Sequence, residues 1–72
     1  MNTEIKNLAE ELTKWTVMYH QASFHLDAAR ASDRDTVTIR EMEEQRDYCW
    51  NKLFFYQEEF NAACKSHALA TV

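Results

Sequence analysis

The sequence predicts an all-α chain: two helices folded back on each other as an antiparallel hairpin, with a second copy completing a four-helix bundle. Three observations carry this. The 72 residues contain no glycine and no proline, the residues that usually punctuate turns and helix ends. Apolar residues recur in steps of three and four along two long stretches. Between them lies a single polar cluster rich in helix-capping side chains.

The first helix is expected from about residue 3 to 31. Asn2 or Thr3 can cap it, and Glu4 sits favourably at the positive end of its dipole. Its seam reads Ile5, Leu8, Leu12, Trp15, Tyr19, Ala22, Leu26 and Ala29, alternating steps of three and four as a coiled-coil stripe does. The break falls in Ala31-Ser32-Asp33-Arg34-Asp35-Thr36, with the turn placed at 32–35. Ser, Asp and Thr oxygens accept hydrogen bonds from the free amides of a starting helix, so each can serve as an N-cap. A connection this short sets the helices antiparallel. One unbroken helix is the competing reading, and the capping residues oppose it.

The second helix is expected over 36–67, followed by a frayed tail at 68–72. Its seam is Ile39, Met42, Arg46, Cys49, Leu53, Tyr56, Phe60 and Ala63. Lys65 and His67 suit the negative dipole end. Antiparallel alignment puts Leu26 near Ile39, Leu12 near Leu53 and Ile5 near Phe60. It also sets Arg46, a polar break in the seam, beside Tyr19. There the guanidinium can stack on the ring, reach a carboxylate of another chain, or extend to water over a packed stem.

A two-helix hairpin consumes one stripe per helix, and this chain has more. Val17 and Phe24, seven residues apart on the first helix, project opposite the seam, flanked by His20 and Ala28. These four are the partner-binding candidates. On the second helix the segment 48–56 is apolar almost all round, with Trp50 and Phe54 to one side of the seam and Tyr48 and Phe55 toward the other. These four are assigned to self-association. Each aromatic buries about 150–250 Å² when covered. A single core in a chain of about 70–80 residues supplies no more than about 3–5 kcal/mol, so association is the expected staple. A disulfide is not: fifteen helical positions separate Cys49 from Cys64, roughly 22 Å at about 1.5 Å per residue, against a bridging limit of about 7 Å.

Two free thiols suit a reducing cytoplasm. The N-terminal segment lacks the pattern of a signal peptide, and no apolar run reaches membrane-spanning length. Net charge is −4, from eight Lys/Arg and twelve Asp/Glu, which argues against general nucleic-acid binding. The acidity is too interspersed with Lys and Arg for a DNA mimic. Arg30, Arg34 and Arg40 near the turn, with Arg46 beyond, leave a small RNA-binding bundle as an alternative; Asp27, Asp33 and Asp35 interleave them and offset their field.

Catalysis and cofactors are not expected. Inward-facing Glu-x-x-His pairs mark bundle metal sites, but His20, His25 and His67 follow Val17, Ala22 and Cys64 at that spacing. Cys64 and His67 alone supply two ligands where zinc needs three or four. The doublets Glu10-Glu11, Glu43-Glu44 and Glu58-Glu59 diverge by about 100° on a helix, so they do not converge on a substrate. A phosphate-cradling loop requires glycines that are absent.

In format the chain resembles small accessory proteins of phages and prophages, short glycine-poor helical hairpins that dimerise and bind a host protein. The twin heptads Ile5–Ala29 and Ile39–Ala63 carry the resemblance. It implies a non-catalytic modulator acting on a protein partner inside a bacterial or phage-infected cell, and transfers no functional residue. A purely structural subunit, with every apolar stripe used in self-association, is the alternative.

Overall fold

The computed structural model describes residues 3–70. Two helices, α1 (Thr3–Ala31) and α2 (Thr36–Ala70), pack against each other as an antiparallel hairpin. The body is a rod of 56 × 15 × 13 Å. Thr3 is already helical, and the expected cap residue Asn2 lies outside the described residues. At the other end the chain departs from expectation: α2 continues through Ala70, past His67 and into the segment expected to fray. Ala68, Leu69 and Ala70 contain no helix breaker, so nothing local stops the propagating hydrogen-bond ladder.

The turn reverses the chain without glycine. Asp33 takes the left-handed conformation, φ 58°, which aspartate tolerates better than most residues because its short polar side chain bonds locally. Around it the Arg34 amide donates to the Ala29 carbonyl at 3.1 Å and the Asp33 amide to Arg30 at 3.3 Å. These are the crossed bonds of a Schellman C-cap, which satisfies the orphan carbonyls at the end of α1. Of the capping residues available, Asp35 starts α2. Its Oδ1 accepts the Thr38 amide at 2.7 Å, while its carbonyl accepts the Ile39 amide at 3.1 Å.

The bonds from the Thr38 side chain and amide hold the Asp35 carboxyl below the ordinary carboxylate range, helped by the Arg34 charge and opposed by slight desolvation. A carboxylate with a folded pKa below its unfolded value contributes stability above the unfolded value, about 3.9. That contribution disappears as pH falls through the depressed folded value. Asp35→Ala is therefore expected to lower Tm at neutral pH, with the gap from the parent closing in acid. Asp35→Asn keeps a capping oxygen, so it should retain most of the Tm while losing this acid dependence. Thermal melts followed by circular dichroism across pH 2–7 check both.

The core is a line. Trp15, Leu26, Ala29 and Cys49 are buried, and every other residue of the two expected seams is half-buried. Trp15 ties the line together: its indole N–H donates to Glu11 Oε2 at 3.2 Å, and Tyr48 packs edge-on with ring centroids 5.7 Å apart. The Lys14 and Lys52 ammonium groups lie 5.0 and 6.0 Å from its ring, within cation–π range. Cross-helix pairs Trp15–Tyr48, Tyr19–Trp50 and Arg30–Glu43 fix the antiparallel register.

Arg46 is half-buried along the seam, and its head turns outward, not onto the Tyr19 ring. Its guanidinium turns to its sequence neighbour, donating from Nε and Nη2 to Asp47 Oδ1 at 3.3 and 3.1 Å. The Tyr19 ring packs instead on Trp50, centroids 5.3 Å apart, and on His20. A carboxylate one residue away satisfies the cation without crossing the groove, which leaves the tyrosine face to the indole.

Candidate protein-binding surface

Covering one stripe per helix leaves a large apolar remainder. Val17, Trp50, Tyr48, Phe55, Phe54, Val37, Leu69 and Phe24 keep between 49% and 70% of their surface exposed. All six large apolar residues assigned from sequence to association or partner binding are in this set. His20 and Ala28 are exposed as well. Val37 and Leu69 are additions that sequence reasoning missed.

These residues do not form one patch. At about 100° per residue, Val17 and Phe24 lie on the back of α1, away from α2. Trp50 and Phe54 occupy one flank of α2, and Tyr48 and Phe55 another flank about 130° round the same helix. Cross-helix contacts agree: Trp50 leans on Tyr19, whereas Tyr48 meets Trp15. The four residues grouped for self-association thus fall on two surfaces. A single two-fold interface repeats one patch of each protomer, so covering both flanks of α2 takes two different contacts.

The flanks also differ in charge. Along the Trp50–Phe54 row, Gln57 Nε2 donates to Asn61 Oδ1 at 3.0 Å. Two acids bordering the row are neutralised within the chain, Glu43 by Arg30 at 3.6 Å and Asp47 by Arg46 at 3.1 Å. The Tyr48–Phe55 row is bordered by Glu41, Glu44 and Glu59, and Glu58 stands between the two rows, one turn beyond Phe54; all four are exposed. No ion pair is formed by these four with another described residue. Between the rings of this row lies a shallow groove of about 280 Å³ lined by Tyr48, Asn51, Lys52 and Phe55.

A second groove, about 200 Å³, is lined by Ala22, His25, Met42 and Gln45. It adjoins a smaller hollow at the turn where Ala28 meets Ser32 and Arg34. The two share His25 and Met42, and the hollow adds Ser32 and Arg34. Among the described residues no three His, Cys, Asp or Glu side chains converge as metal ligands. Cys49 is buried and Cys64 half-buried, both free thiols. Of the arginines near the turn, Arg30 pairs with Glu43 at 3.6 Å, while Arg34 and Arg40 are exposed. No helix among the described residues is long and apolar enough to cross a membrane. No protein-family model, curated protein or solved structure matches the chain.

Proposed function

We propose that this chain is a non-enzymatic protein-binding module that works as a homodimeric helical bundle, with Trp50 and Phe54 at the dimer contact and the remaining apolar faces presented to a protein target. One observation supports it above the rest. Among the described residues four hydrophobic ones are buried, while eight large ones keep 49% or more of their surface exposed. Exposed apolar rows mark interaction sites, and aromatics dominate their energetics. The Trp50–Phe54 flank suits self-contact because two of its three bordering acids, Glu43 and Asp47, are already paired, and charge-poor interface cores are the norm.

The reading extends to a cytoplasmic modulator of a host protein, the role implied by the resemblance to phage and prophage accessory hairpins. The structural-subunit alternative is distinguished by what remains uncovered after dimerisation. Light scattering is expected to give a particle of twice the 8.5 kDa chain mass. Phe24, on the back of α1, should remain accessible within it to solvent-borne labelling. A monodisperse, folded monomer overturns the dimer; complete protection of Phe24, Tyr48 and Phe55 in the particle favours the structural subunit.

A further inference from the structure

The second flank of α2 continues further than its two aromatics. Tyr48, Phe55, Ala62 and Leu69 follow one another at intervals of seven residues, and all four are exposed. One apolar residue in seven is half of a coiled-coil seam, which alternates steps of three and four; the intervening positions here are Asn51, Lys52, Glu58, Glu59, Lys65 and Ser66. The row keeps to one side of α2 that α1 leaves exposed. It runs more than twenty residues along a straight helix with the Tyr48–Phe55 groove at its upper end, long enough to seat about six turns of a second helix.

The charges beside it select the occupant. Glu41, Glu44, Glu58 and Glu59 border the stripe. Two cations also border it: Lys65 stands four residues before Leu69, and Lys52 is drawn over the Tyr48 and Trp15 rings at 5.7 and 6.0 Å. A second copy laying the same stripe here brings four more carboxylates against these four, and like charges across a contact oppose pairing. We propose that this stripe docks an amphipathic helix of another protein whose apolar residues recur every seven positions and whose flanks carry Lys or Arg. This helix-in-groove mode rests on the protein-binding reading above and gives the target a chemistry.

The test uses the full chain and two labelled 21-residue peptides with leucine at the seam positions, one flanked by lysine and the other by glutamate, titrated by fluorescence anisotropy. The lysine peptide is expected to bind at least about tenfold more tightly than the glutamate peptide, and to weaken as salt rises. Phe55→Ala, an exposed position that leaves the core intact, should cost about tenfold or more. Replacing Glu58 and Glu59 together by lysine should invert the preference between the peptides. Equal affinity for the two peptides, or a Phe55→Ala chain that binds unchanged, overturns the proposal. A particle mass that halves in Phe55→Ala also overturns it, by giving the stripe to a second copy. A wild-type monomer that still shows the lysine preference removes the homodimer but leaves this site standing.

Discussion

Trp15→Ala is expected to leave the chain largely unfolded when dilute. Trp15 is 8% exposed, and it is the one residue whose ring receives an aromatic edge from the opposite helix and a cation from each helix. Truncating a buried tryptophan costs about 3–5 kcal/mol, and a core of this size supplies only about that much. The two quantities are equal, so this substitution removes the folded state, not merely a few degrees of Tm. Most helical stability in proteins comes from tertiary packing of an apolar face and not from propensity, so far-UV circular dichroism should fall with it. Trp15→Phe keeps a ring in the groove but loses the N–H bond to Glu11, and should melt early while still folding. A Trp15→Ala chain with the parent's helicity and melting temperature would sink this account of the core.

Phe54→Glu has the largest expected effect on association. Phe54 is 58% exposed in the single hairpin, so the substitution removes little from the core and acts on whatever covers that ring. In a two-fold interface every contact occurs twice. An aromatic hot spot contributes about 2 kcal/mol or more, so both copies together cost about 4 kcal/mol, roughly a thousandfold in dimer dissociation. Sedimentation or light scattering should then report single chains, folded or unfolded according to how much stability the dimer supplies. Phe24→Glu is the matched control: it places the same charge on the back of α1 and should leave the mass unchanged. A Phe54→Glu particle that stays folded and dimeric refutes the Trp50–Phe54 assignment.

The architecture was legible because it rests on what repeats. Two runs of alternating three- and four-residue steps, with no glycine or proline between their ends, determine two helices and the stripe each buries. Every residue on those stripes is partly or wholly covered in the structure. Single choices among near-equals were not legible. Ser32, Asp33, Asp35 and Thr36 can all serve at a helix end. That Asp33 takes the left-handed residue and Asp35 the cap depends on where α1 stops, a difference of one residue. Arg46 was placed against Tyr19 by register alone, and register does not weigh Asp47, the carboxylate next to it. Nor does it show that Trp50 fills the Tyr19 face. Val37 and Leu69 escaped notice as surface residues because each stands apart from the aromatic cluster. The seven-residue interval from Tyr48 through Leu69 was the available signal for the latter.

A body 56 Å long but only 15 by 13 Å across has no depth. Water lies within one side chain of nearly every described position. Perimeter is what the shape supplies in abundance. Most of its sequence is free to change what it touches without disturbing what it is, and a short line of residues, Trp15, Leu26, Ala29 and Cys49, carries the obligation to stay the same.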